Sequence, residues 1–183
     1  MITPVDFDDL RPDLRDALRA RYERLGYLGD FFRQMGHQPD ALIAFDAFTE
    51  ACKQALPFEL AETISLTAAT RLGNDYERHQ HERLAVRHGL ARDWVAAVER
   101  LDPAALPAQQ ADVQGYVLAA IDSLAGEPDR SADALDRIAA RSGDATATAV
   151  ALLTARFIGH ASVSRACRLQ PNVPSIFDPA SDV

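Results

Sequence analysis

Residues 61–90 read AETISLTAATRLGNDYERHQHERLAVRHGL. The first half carries Ala, Ile and Leu on several faces, so it reads as a buried central helix opening near Pro57 and running through Glu62, Ile64 and Leu66 to Leu72. Gly73-Asn74 is a helix-ending pair. Asn74 or Asp75 then caps a second helix that continues to His88, where Gly89 suits a left-handed C-terminal cap.

Outward from this pair the pattern stays helical, with Ala, Leu and Arg dominant and no sustained period-two alternation. Upstream, Leu14, Leu18 and Tyr22 predict a helix from Pro12 to Arg24, broken by Gly26 and Gly29. A stripe of Leu42, Phe45, Phe48 and Cys52 predicts another from Pro39 to about Ala55. Downstream, helices are predicted near 91–100, 113–125 and 131–140, with a last one from Asp144 carrying Val150, Leu153 and Phe157. The segment 102–112 reads as a loop, and the three-proline tail QPNVPSIFDPASDV as extended or partly disordered. The expectation is an all-α, single-domain bundle of seven or eight helices: an N-terminal helix over 1–24, a main helical domain over 25–168 and a tail over 169–183.

Composition removes several function classes. A chain of 183 residues with 48% hydrophobic and 25% charged residues can build one real core. A net charge of -8 argues against a nucleic-acid surface. No run of about 18 apolar residues predicts a membrane helix. The opening MITPVDFDDLRPDL lacks the basic-then-apolar pattern of a secretion signal, so a cytoplasmic location is the default expectation. Cys52 and Cys167 form no CxxC pair and read as small hydrophobes in a reducing compartment.

Three of the five histidines, His79, His81 and His88, crowd the second helix. Residues two apart point about 200° around a helix from each other, so His79 and His81 cannot serve one ion. Glu77 and His81, four apart, share a face. Nothing in the spacing requires a metal, which needs three convergent ligands. Glu62 is the informative partner, because a carboxylate in a buried helix must be paired or neutralised. One reading pairs it with an imidazole on the next helix, a couple that can pass a proton near neutral pH. The other pairs it with Arg71 or another arginine as a structural tie. Arg71, Arg78, Arg83 and Arg87 make the segment locally basic, fitting either a small anionic ligand or a wet face paired with Asp75, Glu77 and Glu82.

The stretch 61–90 resembles the core motif of the carboxymuconolactone decarboxylase and alkylhydroperoxidase D superfamily, and GDFFRQMGHQPDALIAFDAFTEACKQALPFELAE resembles that family's lead-in helices. The resemblance covers roughly residues 25–165 and implies the alkylhydroperoxidase D-like helical fold. In thiol-dependent members a glutamate is followed twelve residues later by Cys-x-x-Cys-x-x-x-His. On this chain the glutamate falls on Glu62 and the histidine on His81, while the two cysteine positions hold Asn74 and Glu77. The low-pKa thiolate and resolving thiol of a peroxidase are therefore missing.

The wording Tyr76-Glu77-x-x-x-His81 is similar to the cysteine-free branch, which includes decarboxylases of the muconolactone type. That likeness implies a cofactor-independent lyase acting on a small carboxylated lactone. It implies His81 as proton donor with Glu62 fixing its tautomer, Arg71 or Arg78 holding a carboxylate, and Asn74, Tyr76 and Glu77 lining the site. It also implies a small anionic substrate, no cofactor and a homotrimer or homohexamer. Two other readings stay open: a peroxiredoxin-like oxidoreductase relying on Cys52 or Cys167, and a non-catalytic member in which Glu62 and His81 are a buried structural contact.

Overall fold

A computed structural model describes residues 2–179. Among them are nine α-helices: α1 (Pro12–Leu25), α2 (Asp30–Met35), α3 (Pro39–Gln54), α4 (Phe58–Arg71), α5 (Asp75–Arg87), α6 (Arg92–Glu99), α7 (Ala108–Leu124), α8 (Ser131–Ser142) and α9 (Asp144–Ala166). No strand occurs among the described residues. None of these helices is long and apolar enough to cross a membrane.

The helix pair read from residues 61–90 is the centre of the fold. Every residue of α4 from Leu60 to Ala69 is buried, with α5, α6, α7 and α9 packed around it. Small side chains make this encirclement feasible, since Ala61, Ala68 and Ala69 let neighbouring helices approach closely. The buried hydroxyls of Thr63 and Ser65 donate to the carbonyls one turn back, Glu59 and Ala61, each at 2.7 Å, so neither is stranded. Gly73, at φ 62°, makes the reversal into α5 that a Cβ would strain.

The departures from the sequence reading are a helix start, a short extra helix and the buried face of α3. The helix α7 starts at Ala108, five residues ahead of expectation, because Pro107 presets the entry and Ala-Gln-Gln-Ala are good helix formers. A short 3-10 turn, Pro103–Ala105, fills the rest of the expected loop. The six-residue helix α2 lies between Gly29 and Gly36, too short for a periodic signal. On α3 the buried face is Leu42, Thr49 and Cys52, while Phe48 is 38% exposed, so Thr49 holds the inward position expected of Phe48.

Three apolar clusters hold the helices. The largest joins α4, α7, α8 and α9 through Ile64, Val117, Ile138, Val150, Leu153 and Phe157. A second ties Leu14 and Leu18 of α1 to Phe31, Leu42 and Tyr76, so α1 is seated on the bundle. The third gathers Leu66, Ala85, Val95, Val98 and Ile176.

Ile176 belongs to the tail, which is extended as expected but anchored over its described part. Glu82, fully buried on α5, accepts from Ser175 Oγ at 2.6 Å and from the Ile176 amide at 2.8 Å. His79, Arg83 and Arg92 donate to the Val173, Pro174 and Ile176 carbonyls. The expected partial disorder at residues 180–183 lies outside the described residues. Ser175→Ala removes a hydrogen bond to a buried carboxylate and is expected to lower stability by about 1–3 kcal/mol in urea unfolding. An unchanged midpoint would show that the tail does not hold Glu82.

Candidate active site

The helix α5 turns one face to α4 and α9 and the other to α6 and the tail, and this rotation sorts its polar residues. Glu77 and His81, one turn apart, face inward. His81 Nδ1 lies 2.8 Å from Glu62 Oε2 on α4, and both side chains are almost wholly buried. Of the two pairings left open for Glu62, the imidazole is the one the fold makes. With Glu62 accepting from Nδ1, the ring's other nitrogen, Nε2, stands 3.7 Å from Glu77. Desolvation opposes charge on this ring, yet the Glu62 carboxylate and contacts with both glutamates outweigh it and raise His81 above the ordinary histidine range. The imidazolium is therefore favoured here more than in a free histidine.

Glu77 is held from α9. Arg156 Nη1 donates to its Oε2 at 2.8 Å, and Arg156 Nε donates to Thr49 Oγ1 at 3.1 Å, linking α9, α5 and α3. Burial works against the Glu77 charge, but His160, Arg156 and His81 hold the carboxyl well below the usual range. His160 contributes only when protonated, and burial pushes it down to about 4 against the pull of Glu77, so above that range Arg156 and His81 carry the effect. His160 is stacked on Phe31 at 4.0 Å and shares a hydrogen bond with Ser164. Tyr76 closes this side, its phenol oxygen accepting from the Phe31 amide at 3.1 Å. Gly29 is required there, since a Cβ would stand 2.5 Å from that oxygen.

His160 carries a pH prediction. It is neutral when folded, whereas in the unfolded chain it takes a proton near pH 6.5. Its contribution is complete above that value and declines as pH falls from about 6.5 toward about 4. The melting temperature of the native chain is expected to drop more than that of His160→Gln between about pH 7.5 and about pH 5. Parallel curves would remove His160 from the acid limb.

His81 and Glu77 open on a cavity of about 270 Å³, walled by α1, α3, α5 and Arg156. Six Lys or Arg side chains line it, Arg21, Arg24, Lys53, Arg83, Arg87 and Arg156, against two carboxylates, Glu50 and Glu77. The field inside an acidic protein is thus positive and suits a small anion. Tyr76 and Gln80 add hydrogen-bonding groups to the wall, and Gln80 is bonded to Tyr27.

Not every expected residue is here. Arg71 points the other way from the end of α4 and pairs with Asp122 at 2.6 Å. Arg78 is one position round from Glu77, so it faces Asp75, Glu82 and Glu99 instead of the cavity. Neither is placed to hold a substrate carboxylate. Asn74, at the α5 N-terminus, borders a separate cavity of about 360 Å³ with Arg165 and Arg168, and Tyr76 lies between the two. His79 bonds the tail, whereas His88 is exposed, stacks on Phe58 at 4.5 Å and borders the cavity mouth. Sequence reasoning missed Lys53, Arg156 and His160. The signal for the last two was an Arg and a His four apart in the apolar helix ALLTARFIGHAS, where a polar group needs a partner.

No protein-family model and no curated protein sequence matches the chain. Solved structures do. A cysteine-to-alanine variant of the debrominase Bmp8 in complex with 2,3,4-tribromopyrrole superposes with a TM-score of 0.79 at 20% identity, over 94% of this chain and 92% of that one. The alkylhydroperoxidase AhpD core of an uncharacterized peroxidase-related protein from Ralstonia eutropha JMP134 gives 0.72 at 22% identity, over 93% and 92%. The fold is that of alkylhydroperoxidase D. A protein of unknown function from Agrobacterium tumefaciens, ATU0492, shares the alkylhydroperoxidase D fold at a TM-score of 0.65 and 19% identity, over 76% of this chain and 96% of that one. Within that fold, Asn74 and Glu77 stand where the sequence resemblance puts the two thiols. Cys52 is buried, and burial pushes its thiol up, away from the thiolate a peroxidase needs.

Proposed function

We propose that the chain is a cofactor-independent acid–base enzyme of the lyase type that acts on a small carboxylated lactone. The observation that carries this reading is the 2.8 Å contact that Glu62 makes with His81, itself in the wall of a cationic cavity. Loss of CO2 from an unsaturated lactone acid leaves a dienolate that needs one proton on carbon. His81 donates that proton from Nε2, and Glu62 orients the ring through Nδ1 and sustains its charge. The cavity cations hold the carboxylates and the developing oxyanion, the part expected of Arg71 and Arg78. Arg156 is fixed between Glu77 and Thr49.

The test is CO2 release from an unsaturated lactone acid by the native chain and its loss in His81→Gln. A chain that neither releases CO2 nor melts at a higher temperature with such acids is the non-catalytic member instead.

A further inference from the structure

Of the 19 basic residues in this chain, Lys53 is the only lysine, and it lies in the wall of the cavity that holds His81. We propose that Lys53 is a nucleophilic amine that captures the carbonyl carbon of a small oxo acid as an iminium. This goes beyond the reading above, since an oxo acid is a different substrate from a lactone acid, and rests only on its assignment of the cavity as the substrate site.

The case begins with what Lys53 lacks. The cavity's other interior cations are engaged: Arg21 with Asp46 and Glu50, Arg83 with the Pro174 carbonyl, Arg156 with Glu77 and Thr49. Arg24 and Arg87 are exposed at the rim. Lys53 is half-buried and, among the described residues, makes no hydrogen bond or ion pair, although its neighbours are rich in charge. One turn back on α3, Thr49 fixes the Arg156 guanidinium beside it. Glu62, Glu77, Glu50, Arg156 and His81 all act on it electrostatically. Desolvation is the largest influence and lowers the ammonium pKa, with Arg156 adding to it and the three glutamates opposing.

Such surroundings suit a nucleophile. A site that only bound anions would be better served by the planar fork of arginine, which the chain uses at every other basic position. A lysine that is desolvated beside another cation exposes a neutral amine, the form that attacks carbonyls. The step balances with the groups at hand. The neutral ε-amine adds to the carbonyl carbon and one of its protons moves to the oxygen. His81 gives the second proton, water leaves, and a protonated iminium remains. That cation withdraws electrons from the adjacent carbon, and the arginines hold the carboxylate. Hydrolysis consumes one water and returns the carbonyl compound, the amine and the His81 proton.

The experiment is reductive trapping of the folded native chain at neutral pH with glyoxylate and cyanoborohydride, read by peptide mapping. Reduction of the iminium leaves a carboxymethyl group on the ε-nitrogen. Lys53 is expected to label at least about tenfold faster in the folded chain than in urea, where it is an ordinary lysine. Acetaldehyde, which lacks the carboxylate, is expected to label it at least about tenfold more slowly than glyoxylate. Labelling confined to the α-amine, a folded rate no faster than the unfolded one, or equal labelling by the two carbonyls overturns the proposal. Trapping does not depend on lactone turnover. An enzyme that releases CO2 with Lys53 unlabelled loses the iminium but keeps the His81 assignment, and a labelled Lys53 in a chain inert to lactone acids does the reverse.

Discussion

If the proposed lyase reading holds, His81→Gln is expected to lower kcat for an unsaturated lactone acid by about 10²–10⁴-fold, the usual contribution of a positioned proton donor. Glutamine is the informative replacement because His81 is buried against a buried carboxylate. Alanine would leave Glu62 without a partner, and unfolding would be confused with lost chemistry. The glutamine amide donates to Glu62 but cannot supply a proton to carbon. Circular dichroism and melting should place the variant near the native fold while CO2 release disappears. The pH profile adds a check. His81 is raised above the ordinary histidine range, so activity that needs the imidazolium persists through pH 6.5 and falls as pH rises through the folded value. Undiminished turnover in the variant would rule out the assigned role.

Arg156→Leu costs about 3–5 kcal/mol of folding stability, or on the order of 10 °C in Tm. The guanidinium is only 7% exposed and bonds a Glu77 carboxyl that is 12% exposed. It also lies over the Phe157 ring at 4.4 Å. Removing it strands a buried negative charge on α5. Adding Glu77→Leu removes the stranded charge, so the double variant should be more stable than Arg156→Leu alone. Glu77 is depressed in the folded state, so its contribution is complete above the ordinary carboxylate range and lost as pH falls through the native value. The loss on Arg156→Leu should therefore shrink in acid. A loss below about 1 kcal/mol at neutral pH would mean that His81, 3.7 Å from Glu77, holds the carboxylate without Arg156.

The residues differ in how far sequence exposed them. The all-α class, the buried helix around Glu62 and the breaks at Gly73 and Gly89 were legible because each is a local property: apolar residues on every face, or a backbone angle that glycine tolerates. The pairing of Glu62 with His81 was within reach for a related reason. Helices joined by a short turn are neighbours, and a buried carboxylate needs a partner. Arg71 and Arg78 misled because proximity in sequence says nothing about which way a helix is rotated. A single step of about 100° puts Glu77 in the cavity and Arg78 against Glu82 and Glu99.

Sequence alone thus determined most of the helices, the two candidate partners of the buried Glu62 and the absence of sulfur at positions 74 and 77, all set by short-range patterns. Tertiary structure decided which cations surround that couple. Arg21, Lys53 and Arg156 come from α1, α3 and α9, far apart in the chain, and meet only because three apolar clusters close the helices around α4. Charge acts through space over a few ångströms, and that spacing is set by packing.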